Sequence, residues 1–114
     1  MYDENMLQIV TLRLSEQPKV EFIENSAEAF SRFVGGKCNI VLAFYPEDSR
    51  YIRIVKRFYN YELDMWPNRV IWHGLNNIRG NAFLVGYHNE KFVSLNDEQI
   101  ELCCDSFCRT VKLT

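Results

Sequence analysis

The sequence lacks several features that would point directly to a function. It contains no apolar run of the roughly 20 residues that a membrane-spanning helix needs. It also lacks a basic excess, because 13 basic side chains face 15 acidic ones and the formal net charge is −2. That balance argues against general binding to nucleic acid. No internal repeat or low-complexity segment is visible, and the 47% hydrophobic content excludes a disordered chain.

Catalytic motifs are missing as well. The chain has no Gly-x-Ser-x-Gly, no His-Glu-x-x-His and no glycine-rich loop of the kind that cradles phosphates. Nucleophilic catalysis would need a cysteine or serine beside a histidine, and nothing in the sequence pairs His73 or His88 with one. The sequence therefore predicts a protein that is not an enzyme and that uses no cofactor.

The four cysteines lack the paired Cys-x-x-Cys spacing of a zinc site, and three of them fall between positions 103 and 108. Cys104 and Cys108 could bind zinc together with Cys103 and with His73 or His88. The favoured interpretation is that Cys103, Cys104 and Cys108 are small core residues on the apolar stripe of a helix. The sequence predicts no metal site.

The N-terminal residues 1–5 are acidic and do not have the charged-then-apolar pattern of a signal peptide. We therefore expect a protein of the host-cell cytoplasm with no membrane contact. The length of 114 residues suits one domain over 1–114, with 1–5 as a flexible N-terminal segment.

Apolar periodicity predicts an α+β fold, with a mostly antiparallel sheet of about five strands and two helices packed on one face. The first helix is expected near 26–34, capped by Asn25 with Glu28 three residues later. The second is expected near 96–108. The strand 38–45 is apolar on both faces and is therefore expected in the centre of the sheet. The other predicted strands are 7–14, 19–23, 51–58 and 81–87, with shorter pieces at 70–72 and 92–93.

The group that most resembles a binding site is Trp66, Asn68, Arg69 and Trp72. Aromatic rings can stack on a base, an arginine can bind a phosphate through two hydrogen bonds, and an asparagine offers both a donor and an acceptor. The alternative is structural: Asn68 would satisfy turn backbone, Arg69 would pair with a nearby carboxylate, and Trp72 would be core.

A basic cluster on the strand 51–58 is the second candidate, formed by Arg50, Arg53, Lys56 and Arg57. It could contact phosphates or an acidic surface of a partner protein. The favoured alternative is a solvated edge strand, where charges discourage pairing between sheets.

Four motifs occur in an order that resembles a family of small uncharacterised domains of bacteriophages and conjugative elements, mainly in Firmicutes and their relatives. The resemblance covers about 20–107. The motifs are the Val-Gly-Gly turn Val34–Gly36, the triplet Pro67–Arg69, the strand Ile78–Gly86 and the helix start Ser94–Gln99.

This resemblance implies an accessory protein of a mobile element, with no catalytic residues to carry over. The first hypothesis is a non-enzymatic anti-defence protein that sequesters a nucleotide-derived host immune signal. Arg69 and Arg79 would then bind the ligand together with Trp66 and Trp72. A homo-oligomer with the ligand at a subunit interface is one compatible arrangement. The alternative is a module that binds and inhibits a host protein through the basic strand.

Overall fold

The fold described here is that of a computed structural model, which describes residues 5–44, 50–58, 67–71 and 76–108. For 67–71 and 76–77 only the backbone is considered. Expectations for the segment 1–4 and for Trp66 and Trp72 therefore lie outside the described residues. The elements are β1 (Met6–Leu12), β2 (Lys19–Glu24), α1 (Ala27–Val34), β3 (Cys38–Leu42), β4 (Ile52–Arg57), β5 (Pro67–Ile71), β6 (Asn76–Arg79), β7 (Ala82–His88), β8 (Lys91–Val93) and α2 (Asp97–Ser106).

Most of the strands form one antiparallel sheet. Its order is β2-β1-β7-β4-β3, and β8 pairs with β7 as the sixth strand. The strands β5 and β6 pair with each other as a separate two-stranded ribbon. The predicted α+β class with a mostly antiparallel sheet is confirmed, and the sheet has six strands where about five were expected.

The central strand is β7. Its residues Ala82, Phe83, Leu84 and Val85 all have 0% exposure, because both faces of the strand are covered. The expectation that 38–45 is central was wrong, since β3 lies at one end of the sheet. Its apolar residues serve both faces of that edge, and Ile40 remains 45% exposed.

The two helices lie on opposite faces of the sheet. Neighbouring residues of β1 show this directly: Ile9 packs in one cluster with Phe30 of α1, and Val10 packs in another with Cys103 of α2. Successive side chains of a strand point to opposite faces, so these clusters are separated by the sheet itself. The expectation that both helices share one face was wrong. We call the two sides the α1 face and the α2 face.

Both helices begin at residues that satisfy their free amide groups. The side chain of Ser26 accepts a hydrogen bond from the Ala29 amide at 3.1 Å, so Ser26 is the cap where Asn25 was expected. Gly35 ends α1 with φ of 88°, a conformation that glycine adopts without strain. In the described part of the chain, neither helix has the length and apolar character needed to cross a bilayer.

Candidate ligand-binding cleft

The residue that enters β4, Tyr51, has a backbone conformation that is unusual for an aromatic residue. Its φ is 58°, in the left-handed region, and such a position costs about 1–3 kcal/mol. The carbonyl of Tyr51 is nevertheless fixed, because it accepts a hydrogen bond from the Tyr87 amide at 2.8 Å. Strain of this kind persists where surrounding contacts over-determine it, and it is concentrated at ligand-binding positions.

The ring of Tyr51 is held at one side and open at the other. It meets the imidazole of His88 edge to face, with ring centroids 5.0 Å apart and an interplanar angle of 89°. Tyr51 is still 52% exposed, the largest value among the exposed large hydrophobic residues of the described chain. An aromatic ring with a fixed orientation and an open surface is suited to stacking against a planar ligand.

The preceding residue, Arg50, is positioned by two contacts. Its guanidinium carbon lies 5.3 Å from the centre of the Phe44 ring, a cation–π arrangement. Its carbonyl accepts a hydrogen bond from the side-chain nitrogen of Gln99 at 2.7 Å. Gln99 belongs to α2, so this hydrogen bond connects the start of β4 to the start of the helix.

The start of α2 is a capping box. The Asn96 side chain accepts from the Gln99 amide at 2.8 Å, and the Gln99 side-chain oxygen accepts from the Asn96 amide at 2.9 Å. Gln99 therefore uses both ends of its side-chain amide, one for the cap and one for Arg50. The first turn also carries the carboxylates of Asp97 and Glu98, which suit the positive end of the helix.

A cleft of about 390 Å³ lies between the start of β4 and the first turns of α2. This volume falls within the range of small-molecule sites. The cleft presents an aromatic ring, a guanidinium, a carboxylate, side-chain amides and an apolar patch within one concave surface. The lining residues are Arg50, Tyr51, Asn96, Glu98, Gln99 and Leu102. We call this surface the Tyr51 cleft.

The site predicted around Pro67 lies on the β5–β6 ribbon. The backbone of Asn68 and Arg69 belongs to β5, and Arg79 ends β6 opposite Pro67. The register thus brings Arg79 to the Pro67–Arg69 segment. Trp66 and Trp72, the aromatic members of the predicted site, lie outside the described residues.

The predicted basic cluster is divided by the sheet. The edge-strand interpretation was wrong, because β4 lies between β7 and β3. Lys56 shares the α2 face with Ile54 and is 7% exposed, whereas Arg53 and Arg57 share the α1 face with Val55. The four basic residues therefore do not form one surface.

Two cations near the end of the sheet lie over aromatic rings, and one of them is Arg53 of the α1 face. The guanidinium carbon of Arg53 is 5.0 Å from the centre of the Tyr87 ring, and the Lys37 ammonium is 5.3 Å from that of Phe58. Phe58 is 43% exposed and follows Arg57 directly. The basic aromatic patch is formed by Arg53, Arg57 and Tyr87, which share the α1 face.

The cysteines of α2 differ in burial. Cys103 is 0% exposed, Cys104 is half-buried and Cys108 is exposed, so the expectation that all three lie in the core holds for Cys103 and is wrong for Cys108. Burial, and next the charge of Asp105, raises the pKa of the Cys104 thiol, which lowers its reactivity. Within the described ranges, no three His, Cys, Asp or Glu side chains are grouped as metal ligands would be.

The sequence patterns did not single out Tyr51 as a binding residue. Nothing in the sequence announces its left-handed backbone conformation, because glycine or asparagine is the usual signal for such a position. The residues that α2 contributes to the cleft were easier to find from the sequence. The motif Ser94–Gln99 contains both capping-box residues, and those two residues line the cleft.

Comparison with known proteins gives a family and nothing finer. Residues 7–108 match the family described as Domain of unknown function (DUF3846), and the chain belongs to this family. No curated protein and no solved structure matches the chain.

Proposed function

We propose that this DUF3846 domain is a non-enzymatic binding protein that holds a small nucleotide-derived ligand in the Tyr51 cleft. The observation that carries the proposal is the ring of Tyr51, exposed at the cleft and held there by a left-handed backbone conformation. The structure supports a site for a planar ring at this place, and the surrounding groups suit the rest of a nucleotide.

Each group of the cleft has a counterpart in such a ligand. The ring of Tyr51 would stack on the base, and base–aromatic stacking contributes about 1–3 kcal/mol. The guanidinium of Arg50 would bind a phosphate oxygen. The carboxylate of Glu98 would accept hydrogen bonds from ribose hydroxyls, because an ionised carboxylate is an acceptor only. These groups bind and orient a ligand, which favours sequestration over catalysis.

The biological form of the proposal is an anti-defence role. The sequence resembles domains carried by bacteriophages and conjugative elements, and such elements gain from removing a nucleotide immune signal of the host. A sequestering protein needs affinity and abundance and no turnover. Residues Asn68, Arg69 and Arg79, with Trp66 and Trp72, stay in the proposal as a second contact region on or beside the β5–β6 ribbon.

The first test is a thermal-shift screen against cyclic dinucleotides, cyclic oligonucleotides and ADP-ribose derivatives. A ligand present at 100 times its Kd stabilises the folded state by about 2.7 kcal/mol. That corresponds to a rise of several degrees in Tm for a domain of this size. A panel without any shift would count against the proposal and in favour of a protein partner.

Substitution of Tyr51 by glycine separates binding from folding. Tyr51→Gly removes the ring and relieves the left-handed conformation, so we expect a Tm within about 3 °C of the wild-type value. Ligand affinity should fall by at least about fivefold, since the stacking contribution is lost. Calorimetric titration with the best ligand of the screen measures the change.

Glu90→Gly is the matched control. Glu90 also has a positive φ, of 62°, but it lies in the turn between β7 and β8 and does not line the cleft. This variant should bind the ligand as tightly as the wild type. Equal affinity in Tyr51→Gly and Glu90→Gly would refute the assignment of the cleft.

A second candidate function rests on the basic aromatic patch. Arg53 and Arg57 share the α1 face, and the Arg53 guanidinium lies over the ring of Tyr87. Arginine and aromatic side chains are enriched where proteins bind each other. The partner would be a host protein with an acidic surface, inhibited by this contact. The double variant Arg53→Glu, Arg57→Glu should abolish capture of that protein and leave small-ligand binding unchanged. Capture that survives in the double variant would refute this second candidate.

A further inference from the structure

The strand β2 forms one edge of the sheet and carries exposed apolar residues. Among the described strands it is hydrogen-bonded to β1, at the end of the order β2-β1-β7-β4-β3. Val20 is 42% exposed and Phe22 is 44% exposed, although both belong to a regular strand. Edge strands with apolar side chains are sites where another strand can be added.

The pairing of β2 with β1 determines which β2 residues direct their main-chain N–H and C=O groups away from the sheet. The Asn25 amide donates to the Asn5 carbonyl, which makes these two residues a hydrogen-bonded pair. Such pairs alternate along an antiparallel ladder, so Lys19, Glu21 and Ile23 direct their main-chain groups at β1. It follows that Val20, Phe22 and Glu24 direct theirs outward.

The charges along β2 select one kind of partner. Lys19 is exposed, and Glu21 forms an ion pair with Arg13, with a nitrogen–oxygen distance of 3.0 Å. In an antiparallel pair of two β2 strands with Val20 on the two-fold axis, Lys19 of each copy faces Glu21 of the other. Facing residues whose main-chain groups are not bonded to each other bring their side chains closest, and opposite charges there stabilise the pair.

Other registers lack this complementarity. With Glu21 on the axis, two carboxylates would face each other, which is destabilising. With Phe22 on the axis, Glu21 would face the apolar Ile23 and Lys19 would face Asn25. Placing Val20 on the axis also sets Phe22 against Pro18 of the other copy. Pro18 has no N–H, so this pair forms a single hydrogen bond, from the Phe22 amide to the Pro18 carbonyl, and ends the ladder there.

We propose that two copies of this chain associate through their β2 edges, with Val20 at the two-fold axis and reciprocal Lys19–Glu21 ion pairs. The two sheets then form one continuous antiparallel sheet. The contact is isologous, as in most homodimers. It lies on the edge strand β2 and includes none of the residues that line the Tyr51 cleft, so it stands whether or not the proposed ligand function does.

Sedimentation velocity of the wild-type protein over a concentration series tests the association. A short strand pair buries little surface, so we expect a Kd in the range of about 10–100 µM. Val20→Lys places two ammonium groups at the axis and should raise this Kd at least about tenfold. Because Val20 is already exposed, the thermal unfolding of the variant should match the wild type. A protein that is monomeric up to about 1 mM overturns the proposal.

Ile40→Lys is the matched control, since Ile40 is 45% exposed and lies on β3, the strand at the other end of the sheet. It should leave the Kd unchanged. Dissociation by Ile40→Lys together with an unaffected Val20→Lys would place the contact at β3 and overturn the proposal.

The register is tested by Lys19→Glu at two salt concentrations. In this variant the introduced carboxylate faces Glu21 of the other copy, so the Kd should rise about tenfold at low salt. Added salt screens both the attraction in the wild type and the repulsion in the variant. It should therefore weaken the wild-type dimer while strengthening the variant. The same direction of salt response in both proteins would contradict the proposed register.

Discussion

The two faces of the sheet are covered by different kinds of apolar side chain. On the α1 face, aromatic rings dominate: Phe30, Phe33 and Phe92 gather around Phe83 and each other, with ring centroids 5.1–5.3 Å apart. On the α2 face the buried residues are mainly aliphatic, and the helix contributes Cys103 and Phe107 as its buried residues. The Tyr51 cleft opens beside this second helix.

This difference separates stability from function within one small domain. The α1 face is closed by large aromatic side chains, of which Phe30 and Phe83 are buried and Phe33 and Phe92 are partly buried, so it anchors the fold. The α2 face holds its helix through the capping box and the Gln99–Arg50 hydrogen bond, and the same groups border the cleft. Substitutions in the aromatic core of the α1 face should therefore change stability alone, and those at the start of α2 should change stability and ligand binding together.

The largest effect should come from the aromatic cluster. Phe83 is 0% exposed and contacts the rings of Phe30 and Phe33 edge to face. We expect Phe83→Ala to lower the free energy of unfolding by about 3–5 kcal/mol, because it leaves a cavity at the centre of the sheet. Denaturant unfolding measures this. Phe83→Leu keeps most of the apolar volume and should cost clearly less; an equal loss would mean that the cavity is not the cause.

An intermediate effect should distinguish the two helix caps. Ser26→Ala and Asn96→Ala each remove one capping side chain, and each should cost about 1 kcal/mol of stability. Asn96 lines the cleft and Ser26 does not, so only Asn96→Ala should weaken the ligand found in the screen. The pair is compared by urea denaturation and by calorimetric titration. Equal ligand affinities in the two variants would contradict the claim that the start of α2, and not the start of α1, contributes to ligand binding.

The smallest effect concerns the ion pair at the edge of the α1 face. The hydrogen bond from Arg13, more than any other contact, lowers the pKa of Glu21 below its ordinary value. The lowered pKa means that the pair stabilises the fold above about pH 4.3, the ordinary glutamate pKa, and that this stabilisation is lost as pH falls through the folded-state value. Glu21→Gln should thus cost at most about 1 kcal/mol at pH 7.

The difference between Glu21→Gln and the wild type should shrink towards zero in acid. Denaturant unfolding between about pH 2 and pH 7 covers the ordinary glutamate pKa on both sides. A difference that stays constant over this range would show that the ionised carboxylate does not contribute.

Local patterns were enough to predict most of the elements. Apolar and β-branched residues mark β1, β2, β4 and β7, and the cap of the first helix lies one residue from its expected position. Element type is a local property, and these segments have strong local signals. The strand β6 was missed because Asn76 and Asn77 follow Gly74 and suit a loop as well as a strand.

Placement was harder because it depends on partners far along the chain. The strands β1 and β7 carry apolar residues on both faces, which was the available sign that each face needs a helix. The position of β4 was misjudged because its arginines suggested solvent, although they lie against Tyr87 and Gly36. The Tyr51 cleft is formed by residues 50–51 together with residues 96–102. A contact between segments this far apart in the chain cannot be predicted from a local sequence pattern.

The central position of β7 also determines the order in which the fold can be assembled. β7 pairs with both β1 and β4, yet it follows both of them by a long stretch of chain. During synthesis, the β1–β2 and β3–β4 hairpins can form early, but they stay apart until β7 leaves the ribosome and joins them. Contacts of such long sequence separation slow folding. The last third of the chain is therefore the part that turns two separate hairpins into one sheet.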